Sequence, residues 1–129
     1  MEYKLNNLSK LVKIIPFTLD LDAIWSITDI AVMPSTEKES FGLVAAEAMM
    51  AKKPVIAANH GGLKEIVVDN ETGYLIEPNS KEAFKVALQK LILNPHIRAN
   101  FGENGFQRAI KKFSVENYVI KIEDILENN

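Results

Sequence analysis

Two carboxylates, Glu39 and Glu47, lie on either side of the predicted start of a helix in the stretch EKESFGLVAAEAMMAKKPVIA, residues 37–57. The helix is predicted to begin near Phe41 and Gly42, where the first backbone N–H groups have no intrahelical acceptor and carry partial positive charge. Such an N-terminus favours an anion such as phosphate, and Gly42 has no side chain to keep a phosphate away from the backbone. The residue types and their spacing therefore favour a phosphate-bearing ligand held between two carboxylates.

Glu47 stands among Leu, Val, Ala and Met residues. A lone buried carboxylate costs several kcal/mol or takes up a proton. A carboxylate that opens onto a cleft and accepts hydrogen bonds from two vicinal hydroxyls, such as those of ribose, avoids this cost. The spacing alone leaves an alternative open, in which Glu47 binds backbone N–H groups or Lys53 and Glu39 is a solvated loop residue.

A pair of carboxylates also hydrolyses glycosidic bonds when the two groups flank the bond. The helix N-terminus close to Glu39 and Glu47 favours phosphate instead. We therefore rank a glycosidase last among the hypotheses for this site.

Apolar strands and helices alternate along the chain, which predicts an α/β fold with a parallel sheet covered on both faces. About four strands are predicted, in LVKII (residues 11–15), DIAVM, PVIAA and YLIE. The predicted helix that contains Glu47 follows the second strand. Its N-terminus is therefore expected beyond the carboxyl ends of the strands, where ligands bind in such sheets. Ser80 is predicted to cap the first of the C-terminal helices, which extend over residues 80–127.

Composition excludes several other classes of protein. The 129 residues suit a single domain (residues 1–129), and a formal charge of −2 with a pI near 5.7 gives no general attraction to nucleic acid. The absence of cysteine excludes disulfides and thiolate metal sites. No apolar run reaches the roughly 18 residues of a membrane span, and no secretory signal is visible, so we expect a cytoplasmic protein, with a peripheral membrane contact as a minor alternative. The basic cluster RAIKKF, residues 108–113, is interpreted as the solvated face of a helix.

The stretch DIAVMPSTEKESFGLVAAEAMMAKKPVIAANHGGLKEIVVDNETGYLIEP resembles the C-terminal, donor-binding domain of glycosyltransferase family 4 (group 1), which has the two-domain GT-B fold. The likeness rests on an E-x7-E element, here Glu39 to Glu47, in a context of spaced family elements. These elements are Pro34, Ser35, Phe41, Gly42, Pro54, Gly61, Gly62, Glu65, Thr72 and Gly73. The resemblance implies a Rossmann-like three-layer domain.

The resemblance also implies roles for individual residues. Glu39 would be the catalytic residue and face the hydroxyls of the donor sugar, while Glu47 would hold the ribose. The donor-binding set would be Glu39, Phe41, Gly42, Leu43, Val44, Glu47, Gly61 and Gly62. Base contacts would fall on Pro16, Phe17 and Thr18. The implied donor is a UDP- or GDP-sugar, transferred with retention to a saccharide or lipid-linked acceptor, as in polysaccharide biosynthesis, without a metal or other cofactor.

The chain departs from the family pattern in two ways. Lys52 stands where the family usually has Gly, which costs about 1 kcal/mol if φ is positive there. The chain also lacks the first domain of the fold and the Arg and Lys that neutralise the diphosphate leaving group, a main electrostatic contribution in such chemistry. We therefore expect a truncated domain that is weak or inactive alone, with a non-catalytic nucleotide-sugar-binding or protein-binding module as the alternative.

The truncation predicts partners as well. By the resemblance, the first half of the donor-binding domain is missing as well, including the strand that would pair with residues 11–15. These residues would then form an exposed apolar edge strand, which can pair with another chain. We expect a homodimer through this edge, or a partner chain that supplies the N-terminal GT-B domain.

Overall fold

The computed structural model describes residues 10–15, 20–34 and 41–112. These residues form three strands and five helices in α/β order. Their bounds are α1 Leu21–Ser26, β1 Ala31–Met33, α2 Phe41–Met50, β2 Val55–Ala58, α3 Leu63–Ile66, β3 Gly73–Ile76, α4 Lys81–Leu93 and α5 Pro95–Lys112. Within this part of the chain, no helix is long and apolar enough to cross a lipid bilayer.

Local sequence signals account for several helix starts. The Asp20 carboxylate accepts a hydrogen bond from the Ala23 N–H at 3.2 Å and caps α1. The Ser80 hydroxyl accepts one from the Ala83 N–H at 3.1 Å and caps α4, as predicted. Pro95 is the first residue of α5, a position where its missing N–H costs nothing.

The sheet is parallel with the order β1-β2-β3, which confirms the predicted α/β sheet. Ala31 of β1 pairs with Val55 of β2, which pairs with Gly73 of β3. A Cβ atom on Gly73 would lie 1.8 Å from the Val55 carbonyl oxygen, so β3 approaches β2 where only glycine fits. The described part of the sheet has three strands rather than about four.

The central strand β2 is fully buried and divides the core into two sides, as expected of a sheet covered on both faces. Val55 and Ala57 face a cluster with α2, α3 and Ala109 of α5. Ile56 faces the other cluster, with α4 and Phe101 of α5. This is the predicted three-layer arrangement.

The predicted strand at residues 11–15 is wrong. Leu11 lies in a turn, residues 12–15 are neither helix nor strand, and the side chains of Leu11 and Ile14 are 81% and 70% exposed. A β-branched apolar run becomes a strand only when a neighbour accepts its backbone hydrogen bonds. The described sheet gives these residues no such neighbour, and its two edges are β1 and β3. The described residues therefore contain no edge strand at 11–15 through which the predicted dimer could pair.

Lys52, in the turn between α2 and β2, has a φ of 61° and thus the left-handed conformation that its place in the family pattern suggested. Its ammonium lies 3.5 Å from the Glu103 carboxylate and 4.7 Å from the centre of the Phe106 ring. A hydrogen bond from Gln107 and then the Lys52 charge hold the pKa of Glu103 below its usual value. Because a Cβ on Gly102 would meet the Lys52 carbonyl oxygen at 2.2 Å, α5 packs directly on the turn backbone.

Candidate functional site

Two segments meet beyond the carboxyl ends of the strands. The helix α2 follows β1, and the loop with Gly61 and Gly62 follows β2 and leads into α3. Because the strands are parallel, both segments lie at the same edge of the sheet. The Asn59 N–H donates to the Ile76 carbonyl at 2.7 Å, which fixes the start of the loop to the end of β3.

Gly42, in the first turn of α2, is covered on one side by α3. A Cβ atom at Gly42 would lie 2.8 Å from the Cδ1 atom of Ile66. The space that glycine leaves is therefore occupied by an apolar side chain of the same protein. The absence of a side chain at Gly42 thus also gives room to the end of the Ile66 side chain, in addition to the predicted access for a phosphate.

Gly61 and Gly62 are exposed, and a Cβ atom on either would meet no atom within 4 Å. Gly61 has a φ of 55°, which favours glycine, whereas Gly62 has a φ of −66°, which any residue adopts. The preceding His60 has a buried Nε2 atom for which the structure gives no hydrogen-bond partner.

Glu47 lines a cavity of about 460 Å³ between α1 and α2. Its other walls are Leu21, Asp22, Trp25, Leu43, Ala46, Met50 and Ala51. Leu43 and Met50 are 53% and 48% exposed, so the cavity is open to solvent along these two walls, while Ala46 between them is buried. Glu47 thus stands in a largely apolar crevice that reaches solvent, and the lone carboxylate is not enclosed.

None of the described residues donates a hydrogen bond to the Glu47 carboxylate or forms an ion pair with it. The alternative in which Lys53 or a backbone N–H binds Glu47 therefore has no support in this part of the chain. Among the described residues, the only other acid in the same walls is Asp22, and none of the described lining residues is basic. Within the described part of the chain, the acceptor capacity of the Glu47 carboxylate is therefore unused.

The remaining predicted site residues divide into two groups. Leu43 and Val44 lie in the first turn of α2 with exposed side chains, so their backbone N–H groups are among those without an intrahelical acceptor. Phe41 begins α2. Glu39 and the base-side residues Pro16, Phe17 and Thr18 lie outside the described residues, and their roles stay predictions.

Trp25 of α1 packs against the core cluster that includes Ala45, Ala48 and Met49 of α2. It also lines the Glu47 cavity, and its Nε1 atom is buried without a hydrogen-bond partner in the structure. Within the described residues, no group of three His, Asp or Glu side chains is arranged to hold a metal ion.

Sequence reasoning missed two residues next to the site. Ile66 contacts Gly42 across 24 residues of chain, and spacing within a motif gives no sign of such a contact. Arg108 was included in a cluster interpreted as a solvated face, yet its Nε and Nη2 atoms donate to the Ile66 and Glu65 carbonyls at 3.0 and 2.7 Å. The interpretation of that cluster as only a solvated face is therefore wrong for Arg108.

Comparison with known proteins identifies sequences and structures that are similar to this chain. Residues 2–108 match the model of the glycosyl transferases group 1 family. An uncharacterized glycosyltransferase of Methanocaldococcus jannaschii is 44% identical over 96 residues, which cover 74% of this chain and 27% of that protein. The alpha-1,3/1,6-mannosyltransferase ALG2 of Dictyostelium discoideum is 43% identical over 89 residues, 69% of this chain and 21% of that protein. The chain thus spans less than a third of the length of these relatives.

A solved structure gives the same result for the fold. Anabaena HepE in complex with UDP-glucose superposes with a TM-score of 0.86 at 28% identity, over 95% of this chain and 34% of HepE. This likeness confirms the predicted fold, a parallel sheet flanked by helices as in a domain of a GT-B glycosyltransferase.

Proposed function

The chain belongs to the group 1 glycosyltransferase family, and we propose that it is the donor-binding part of a retaining, family 4 enzyme that uses a nucleoside-diphosphate sugar. The observation that carries this proposal is the Glu47 carboxylate, which lines an open cavity and has no partner among the described residues. A hydroxyl pair such as that of ribose would supply the missing hydrogen bonds. The binding of UDP-glucose by the structurally similar HepE supports a nucleotide sugar as the ligand.

The proposed geometry assigns the diphosphate to the first backbone N–H groups of α2, from Phe41 to Val44. Glu47 lies in the following turn of the same helix and would hold the ribose. Gly61 and Gly62 would face the sugar from the loop after β2, because both leave open space at the same edge of the sheet. Glu39 completes the proposal as the catalytic residue that faces the sugar hydroxyls.

Calorimetric titration of UDP-glucose and GDP-mannose tests the proposal, with Glu47→Gln as the variant. Glutamine keeps one acceptor oxygen, so the variant loses one charged hydrogen bond, and Kd is expected to rise by about 10- to 100-fold, since one such bond contributes about 1.5–3 kcal/mol. The matched control is Glu82→Gln, which changes an exposed glutamate in the first turn of α4 and should leave Kd unchanged. An unaltered Kd in Glu47→Gln would show that the ribose assignment is wrong.

A non-catalytic nucleotide-sugar-binding module is the second candidate. It is favoured by the walls of the Glu47 cavity, which among the described residues contain no Arg or Lys to neutralise a diphosphate leaving group. Turnover would then require basic groups from another domain. Formation of glycosylated product after addition of a separately expressed N-terminal GT-B domain would favour the enzyme, and binding without product would favour the module.

The cytoplasmic location and the homodimer are further parts of the proposal. A dimer would use the apolar side chains of residues 11–15, which are exposed, without the strand pairing predicted from the sequence. Light scattering at high protein concentration measures this directly, and a strictly monomeric mass would remove the dimer from the proposal.

A further inference from the structure

Arg108 of α5 holds the carboxyl end of α3. Its Nε and Nη2 atoms donate to the carbonyl oxygens of Ile66 and Glu65 at 3.0 and 2.7 Å, and the Lys112 ammonium donates to the Glu65 carbonyl at 2.9 Å. The last carbonyls of a helix have no intrahelical donor and carry partial negative charge, so two cations at this end stabilise it.

The helix α3 has only four residues and cannot be stable by itself. The buried side chains of Leu63 and Val67 hold one of its sides in the core. Its orientation at the carboxyl end depends on the bonds from α5, which reach across 42 and 43 residues of chain. Loss of these bonds should therefore loosen α3 while the rest of the fold stays in place.

This short helix connects the two segments of the candidate site. It begins directly after Gly61 and Gly62, and Ile66 at its end packs on Gly42 in the first turn of α2. A shift of α3 would move the glycine loop and the Ile66 contact together. Both segments would then leave the positions that a diphosphate sugar is proposed to use.

We propose that Arg108 is a positioning residue for the donor site: it fixes α3, and through α3 it sets the distance between the Gly61–Gly62 loop and the start of α2. The inference rests on the proposed function and assigns Arg108 no contact with the donor. A planar guanidinium with two diverging N–H groups suits this task, because a lysine ammonium is a single point charge on a flexible stem.

The test compares Arg108→Met and Arg108→Lys with a matched variant on the same helix. Arg98 donates from Nη1 to the carbonyls of Leu91 and Ile92 at the end of α4, the latter at 2.9 Å. Arg98→Met therefore removes the same kind of bond from a helix away from the Gly61–Gly62 loop and α2. Each variant is characterised by thermal unfolding, amide hydrogen exchange over residues 61–67, and calorimetric titration of UDP-glucose and GDP-mannose below its Tm.

In Arg108→Met, exchange over residues 61–67 is expected to accelerate and donor Kd to rise by roughly 3- to 30-fold. Arg108→Lys should recover Tm in part, through its charge, but recover little of the affinity. Arg98→Met should lower Tm by a similar amount and leave both exchange at 61–67 and Kd unchanged.

Two results would overturn the inference alone: unchanged exchange at residues 61–67 in Arg108→Met, or an equal loss of affinity in Arg98→Met. A different result would overturn the proposed function: a wild-type chain that binds neither UDP-glucose nor GDP-mannose. The exchange measurement needs no ligand and reports on α3 in either case.

Discussion

The two glycine-bearing segments of the candidate site differ in what surrounds them. At Gly42, the Cδ1 atom of Ile66 lies 2.8 Å from where a Cβ would be, and at Gly62 nothing lies within 4 Å. Any side chain at Gly42 would therefore have to displace the end of the Ile66 side chain. Gly62 has neither a neighbour nor an unusual backbone conformation to require it, since its φ is −66°.

This difference separates two physical reasons for glycine in one motif. A side chain at Gly42 must displace a part of the protein, and the cost appears in the free energy of unfolding. A side chain at Gly62 would enter open space, so a cost can appear only when something outside the chain approaches. Gly61 falls between the two, because its φ of 55° disfavours any side chain.

The largest effect is expected from Gly42→Val, which should lower the free energy of unfolding by about 2 kcal/mol because the new side chain overpacks against Ile66. Urea unfolding measures the loss. The double variant with Ile66→Ala has room for the new side chain. Its loss of unfolding free energy should therefore be smaller, by at least about 0.5 kcal/mol, than the sum of the losses in the two single variants. Strict additivity would mean that Ile66 does not determine the size of residue 42.

Gly62→Ala is expected to separate binding from stability. Its unfolding free energy should stay within about 0.5 kcal/mol of wild type, as for an exposed substitution without strain. The Kd for UDP-glucose should rise about tenfold, or about 1.4 kcal/mol, if the sugar approaches this backbone. If Gly62→Ala binds every tested nucleotide sugar as wild type does, the loop is not a donor contact.

Lys52 provides the smallest and most specific test, because it already carries a side chain at a φ of 61°. Lys52→Gly should be more stable than Lys52→Ala by about 1 kcal/mol, the cost of a Cβ in the left-handed region. Both variants lose the lysine contacts to Glu103 and Phe106, so the difference in thermal unfolding reports the backbone alone. Gly61→Ala should lower the unfolding free energy by the same amount, since its φ is also positive. Any rise in the donor Kd beyond this backbone effect would indicate a contact between the ligand and residue 61.

Much of the architecture could be predicted because its signals are local. The capping residue Ser80, the helix-initiating Pro95 and the apolar strand of β2 each act through neighbours a few residues away. The prediction of a strand at residues 11–15 failed because an apolar run records a tendency and not the presence of a neighbouring strand.

The candidate site was predictable only in part, for the same reason. Glu47 stood out as a charge in an apolar run, and its open cavity agrees with a ligand-facing role. The contact of Ile66 with Gly42 and the bonds of Arg108 to α3 join residues distant in sequence, and no local pattern encodes them. The sequence motif thus indicated a candidate site but not the contacts between distant residues around it.

The order β1-β2-β3 has a consequence for how the chain is made. Of the three described strands, β2 joins the edge left by β1 and β3 joins the edge left by β2, so neither must wait for a later described strand. The sheet can therefore grow at the ribosome in the direction of translation, one strand and helix at a time. Among the described elements, α5 docks after the turn at Lys52 and the end of α3 have both emerged, because it packs on both and follows them in the sequence.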